Sequence, residues 1–142
     1  MMRVVADASV VLKWLLPVRD DEQDLEQALQ LLTAVRNDKI SLYEPPHWLA
    51  EVAAVLTRLS ATTADADIAD LVAMAIRIVD SEEVYLRASR LSRELDHHLF
   101  DTLYHAVALS VDEAILVTAD ERYFAKASDR GRVVLLRDFS GS

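Results

Sequence analysis

The chain has 142 residues, 52% of them hydrophobic, which suits one well-buried domain spanning 1–142. It has no cysteine and only two glycines, Gly131 and Gly141. This excludes disulfides, thiolate zinc sites, thiol nucleophiles, dinucleotide fingerprints, phosphate-cradling loops and the Gly-x-Ser-x-Gly elbow of hydrolases. Its net charge of −9 argues against a polyanion partner unless the acids gather where a divalent cation offsets them.

Met1 to Ala6 has the charge and apolar run of a short leader, but Asp7 and Lys13 interrupt it. No stretch nears the ~18 apolar residues of a spanning helix, so a cytoplasmic location is expected. Arg3-Val4-Val5-Ala6 reads as a buried strand stopping at Asp7. Asp7-Ala8-Ser9 is a turn, with Ser9 as the expected cap of a helix through Leu15 that Pro17 ends. Asp20 to Arg36 is a second helix, with Leu25, Ala28, Leu29, Leu32 and Val35 at helical spacing, and Asn37-Asp38 is a turn. Ile40 to Tyr43 is a strand closed by Glu44-Pro45-Pro46, followed by a helix from His47 to Leu59 with Leu49, Val52, Ala53, Leu56 and Leu59 inward. Ser60 to Asp65 is a polar break, Ile68 to Ile76 an alanine-rich helix, and Arg77-Ile78-Val79 a short strand. Asp80 to Glu83 reads as a capping box before a helix to about Leu95. Phe100 to Val111 is helical, Ala114 to Val117 a strand, Glu121 to Lys126 a short helix and Val133 to Leu136 the last strand. The strands are continuous apolar runs separated by helices. That pattern predicts an α/β protein, a three-layer α/β/α sandwich around a parallel sheet.

In such sheets ligands bind beyond the carboxyl ends of the strands. Asp7 and Asp120 sit at two such ends, Glu51 lies within an apolar helix, and Asp101 opens another. Each has an ordinary structural reading: Asp7 as a turn residue, Asp101 as a helix N-terminal charge, Asp120 as a cap. Together they point to one shared site. Two like charges ~4 Å apart repel by about 4 kcal/mol at an effective dielectric of 20, so four carboxylates need a compensating cation. Hard oxygens suit Mg²⁺ or Mn²⁺, and such an ion suits phosphodiester hydrolysis.

The segments Val4-Val5-Ala6-Asp7-Ala8-Ser9, Glu51 after Pro45-Pro46, Phe100-Asp101-Thr102-Leu103-Tyr104-His105-Ala106, and Leu116-Val117-Thr118-Ala119-Asp120-Glu121-Arg122-Tyr123-Phe124 occur in this order. In order and spacing, over essentially the whole chain, the sequence resembles PIN-domain nucleases of the VapC toxin type. The resemblance implies that Asp7, Glu51, Asp101 and Asp120 bind Mg²⁺ or Mn²⁺ and activate water to cleave RNA. It implies that Ser9 and Thr118 assist the acids, that a protein antitoxin restrains the enzyme, and that the chain is a homodimer.

No pair of the histidines His47, His97, His98 and His105 has a usual zinc-ligand spacing with supporting acids, so surface or packing roles are expected. His105, one turn after Asp101, is a candidate to face the cleft. Arg87, Arg90 and Arg93 share a helix, while Arg122, Lys126, Arg130 and Arg132 follow Asp120. A solvated surface explains them, and Arg122 is the candidate phosphate contact. Trp14 and Trp48 read as core or interface, and Ala61 to Ile76 as a surface for a dimer or antitoxin. Two other functions remain open. A Mg²⁺-binding phosphoacceptor domain would want paired acids at the first strand and a lysine after the last. A PIN-like scaffold without activity would not need all four acids.

Overall fold

Strand β1 (Met2–Ala6) carries Val4, Val5 and Ala6 with no exposure at all, as expected of a strand covered on both faces. The computed structural model describes residues 1–17 and 24–140. After β1 come α1 (Ala8–Leu15), α2 (Leu25–Arg36), β2 (Ile40–Glu44), α3 (Trp48–Leu59), α4 (Ala64–Ala73), β3 (Arg77–Ile78), α5 (Glu82–Leu95), α6 (Leu99–Ser110), β4 (Ala114–Thr118), α7 (Glu121–Ala127) and β5 (Val133–Leu135). The expected start of the second helix at Asp20 lies outside the described residues.

The five strands form one sheet in the order β3-β2-β1-β4-β5, and every pairing is parallel. The register sets Val4 opposite Leu42 of β2 and opposite Ile115 of β4. The described helices flank this sheet, giving the expected three-layer α/β/α sandwich. Helix α6 packs against β1, β2 and β4, and α5 lies along α6. Seven successive residues of α6, Thr102 to Ala108, are buried, so its sequence is apolar almost all round. The edge strands β3 and β5 are the shortest, which limits the unpaired backbone a neighbour could use.

Several local expectations are corrected. The cap of α1 is Asp7, not Ser9: the Asp7 carboxylate accepts the Ser9 N–H at 3.1 Å. The cap of α5 is Ser81, not Asp80: the Ser81 hydroxyl accepts the Val84 N–H. Helix α4 starts earlier and stops earlier than the apolar pattern from Ile68 to Ile76 suggests, because Thr63 begins the turn and Met74 turns extended. Leu29 and Leu59 face solvent, since α2 buries Ala28, Leu31 and Ala34 and α3 ends at the surface. Trp48 is buried, and the Trp14 indole donates to the Ala28 carbonyl at 2.8 Å, tying α1 to α2. No described helix is long and apolar enough to cross a membrane.

Leu116, on β4 beside β1, is fully buried within the main core. Leu116→Ala removes most of a packed side chain from between two layers. It is expected to cost about 2–5 kcal/mol. Urea unfolding should show a lower midpoint at an unchanged slope.

Candidate functional site

The chain builds β2 and β3 outward from one side of β1, then crosses to place β4 on the other side. That reversal leaves a crevice past the carboxyl ends of β1 and β4. Asp7 follows directly on β1. One of its oxygens accepts the Ser9 hydroxyl, and the other accepts the Thr118 hydroxyl from the end of β4. Both hydroxyls are themselves acceptors: Ser9 Oγ takes the Ala119 N–H at 3.1 Å and Thr118 Oγ1 takes the Asp120 N–H at 3.0 Å. Ser9 and Thr118 thus lock Asp7 to the turn that carries Asp120.

Asp120 caps α7, accepting the Tyr123 N–H at 3.0 Å. Glu51 stands on the first turn of α3 and accepts the Tyr104 hydroxyl at 2.6 Å. Asp101 is on the first turn of α6, 2.9 Å from the Nε2 of His97. All four acids line a single cleft of about 220 Å³, with Ala8, Ser9, Val55 and Tyr104. A larger hollow along α2, past Leu25, Leu29 and Thr33, holds none of them.

The match to the PIN domain family model runs over residues 4–129. The chain belongs to the PIN domain family. No curated protein matches it significantly. This PIN domain is similar in structure to PAE2754 of Pyrobaculum aerophilum, with 14% identity and a TM-score of 0.65, over 96% of this chain and 90% of that one. It is similar to VapBC2 of Rickettsia felis, solved bound to a DNA fragment from their promoter. There the identity is 16% and the TM-score 0.62, over 94% of this chain and 97% of that one. It is also similar to VapC20 of Mycobacterium tuberculosis, a sarcin–ricin loop cleaving toxin. That match has 16% identity and a TM-score of 0.61, over 86% of this chain and 93% of that one. At these identities the likeness is one of fold.

The other sequence candidates of this PIN domain are placed as follows. Arg122 is exposed on α7, does not line the cleft and has no hydrogen-bond or ion-pair partner among the described residues. Its basic neighbours are engaged in structure: Arg130 with Glu94, Arg132 with the Ala108 and Val111 carbonyls, Lys126 with the Asp96 carbonyl. His105 does not face the cleft. It is fully buried, with Nε2 at 2.8 Å from the Gly131 carbonyl and Nδ1 at 2.8 Å from the Tyr123 hydroxyl. A carbonyl only accepts, so Nε2 carries the proton and Nδ1 accepts from Tyr123. Burial lowers the His105 pKa, which keeps the ring neutral. His98 caps α6 by accepting the Phe100 N–H. His47 sits between the Phe100 and Tyr104 rings, with Nε2 at 2.8 Å from the Phe100 carbonyl.

Three residues near the acids are not among the site residues expected from sequence. Tyr104 is three residues past Asp101, so it shares that helix face. His97 is four residues before Asp101. Glu44 ends β2 as Asp7 follows β1, so the same rule could have found it. It is buried, accepts the Ala6 N–H at 2.8 Å through Oε1, and leaves Oε2 without a partner. Burial first, then the nearby Asp7 and Glu51 charges, push its pKa well above the ordinary carboxylate range.

The donor set fits a divalent cation. It offers hard carboxylate oxygens crowded in one cleft, and the electrostatics of Asp7 call for compensation. Burial pushes the Asp7 pKa up to about 6; its hydroxyl and backbone hydrogen bonds work against this, and the Asp120 charge adds to it. Because this pKa is raised on folding, the stability linked to Asp7 is full below about pH 4 and is lost as the pH rises through about 6. In EDTA, wild type should lose about 2–3 kcal/mol more than Asp7→Asn between pH 4 and pH 8. Denaturant titrations at both pH values check this, and at pH 8 the variant should be the more stable of the two.

Proposed function

We propose that this chain is a metal-dependent endoribonuclease, the toxin of a toxin–antitoxin pair, which hydrolyses RNA phosphodiester bonds at the acidic cleft. The observation that carries this reading is the meeting of Asp7, Glu51, Asp101 and Asp120, from four separate parts of the chain, in one cleft of a PIN domain. The likeness to a toxin that cleaves the sarcin–ricin loop supports the reaction class, and the likeness to VapBC2 supports an antitoxin partner.

In this reading the four acids hold Mg²⁺ or Mn²⁺. A bound ion would lower the pKa of a water and offset charge on the scissile phosphate. The chain's own part is placement. Ser9 and Thr118 fix the Asp7 carboxylate, Tyr104 fixes Glu51, and the cap bond to Tyr123 fixes Asp120. Arg122, free on the surface of α7, is the proposed contact to RNA phosphates outside the cleft. The protein acts in the cytoplasm. A phosphoacceptor domain is less well supported: one acid follows β1, Glu51 sits on a helix, and the residue after Leu136 is Arg137, paired with Glu121.

Cleavage of labelled RNA should require Mg²⁺ or Mn²⁺ and stop in EDTA. Asp7→Asn and Asp101→Asn should each lower the rate by at least about 100-fold, the upper end of what even outer-shell changes cost at metal sites. Wild-type cleavage in EDTA, or by either variant, would overturn the reading.

Self-association belongs to the same reading. Leu59 on α3 and Val72 on α4 are exposed apolar side chains near each other in sequence, and two-fold pairing is the commonest closed arrangement. Light scattering at micromolar concentration should give twice the chain mass. A strict monomer would remove the homodimer from the proposal.

A further inference from the structure

We infer that His97 is a nitrogen ligand of the cleft's cation and turns its preference away from Mg²⁺ towards Mn²⁺ and Co²⁺. This rests on the reading that the cleft holds a divalent ion.

Among the described residues, the tight grouping of ligand-bearing side chains is not the four acids. It is His97, Asp101 and Asp120, whose donor atoms all lie within 4.8 Å of one another. An octahedral ion with bonds of about 2.1 Å sets neighbouring ligands ~3 Å apart and opposite ones ~4.2 Å apart. The 2.9 Å between His97 Nε2 and Asp101 Oδ2 matches the shorter edge. The His97 side chain is only 10% exposed, against 44% for Asp101, and it reaches the cleft residues Asp101 and Asp120 without itself lining the cleft.

The ring is also held in place. The backbone beneath it is fixed: the His97 backbone N–H donates to the Ser92 carbonyl at 3.1 Å, and the His97 backbone carbonyl accepts the Ser92 hydroxyl at 2.5 Å. Tyr123 meets the ring edge-on at 4.9 Å. The same Tyr123 donates its backbone N–H to Asp120 and its hydroxyl to His105. One residue therefore positions two of the three donors. The other histidines do not share this grouping: His47 is bonded to the Phe100 carbonyl and lies 3.9 Å from Glu51 Oε1, His98 caps a helix and His105 is turned into the core.

Donor chemistry then sets the preference. Mg²⁺ takes oxygen ligands and keeps its waters, whereas imidazole suits the first-row transition ions, with affinity rising from Mn²⁺ through Co²⁺. On binding, Nε2 gives its lone pair to the ion and the ring proton resides on Nδ1, so the Nε2 contact to Asp101 becomes a shared ion.

The test uses the full chain stripped of metal, with the ions alone as probes. Electron spin-echo spectra of Mn²⁺ bound to wild type should show ¹⁴N modulation from a directly bound imidazole. Titration calorimetry compares wild type with His97→Gln, which keeps a hydrogen-bond donor towards Asp101 but removes the imidazole. Co²⁺ affinity should fall at least about tenfold while Mg²⁺ affinity changes less than about threefold. Bound Mn²⁺ without ¹⁴N modulation, or a parallel loss of Co²⁺ and Mg²⁺ affinity, would overturn the inference. The wild-type spectrum decides even if the variant does not fold. A wild type that binds neither ion overturns this inference together with the metal part of the proposed function. Binding through His97 without RNA cleavage supports the inference and overturns only the nuclease reading.

Discussion

Everything at the cleft hangs from the seam between β1 and β4. A parallel strand ends with its last amides and carbonyls handed to its neighbours, and here the Asp7 N–H reaches the Val117 carbonyl at 3.4 Å. The side chain that follows is then gripped from both sides of the seam, by Ser9 on α1 and by Thr118 on β4. Neither hydroxyl is spare, because each also accepts a backbone N–H from the turn leading to α7. Two strands far apart in sequence are thereby joined through one carboxylate, and the position of Asp120 follows from it.

That arrangement carries an electrostatic cost. Glu44 is sealed beneath the crevice with one oxygen unpartnered, and Asp7 is desolvated beside it. Hydrogen bonds reduce the strain on Asp7 without removing it. Protonation or a positive charge relieves the rest, so an ion held here, as proposed, would also stabilise the fold. A domain that crowds part-buried acids over a buried one is less stable alone than its core would allow, a trade common where function sets the residues.

Much of the fold is legible in the sequence because the strands are short apolar runs stopped by polar residues. Val4-Val5-Ala6 before Asp7 and Ile115-Leu116-Val117 before Thr118 have no other plausible state. The acids stand out for the same reason, since each interrupts or ends an apolar segment. Strand order is not legible, because the partners of β1 are chosen by crossovers that local pattern does not encode. Side-chain direction is lost as well. His105 and Asp101 are one turn apart on α6, yet one points into the core and the other lines the cleft. Spacing places residues on a helix face, but what lies against that face comes from α7 and the Gly131 turn. The cap of α1 is Asp7 and not the expected Ser9 for a simpler reason: both are good capping residues, and the backbone chooses between them.

Asp7, Asp101 and Asp120 hold folding duties as well as places in the cleft. Asp7 caps α1, Asp120 caps α7, and Asp101 puts negative charge on the first turn of α6, where the helix dipole favours it. Glu51 likewise sits on the first turn of α3, so only Asp7 and Asp120 close a helix end with a side-chain hydrogen bond. Should a descendant of this chain keep only its shape, selection for folding would go on protecting Asp7 and Asp120 most strongly. Asp101 and Glu51 would be the first to drift, so half of the acidic set would outlast any use of the cleft.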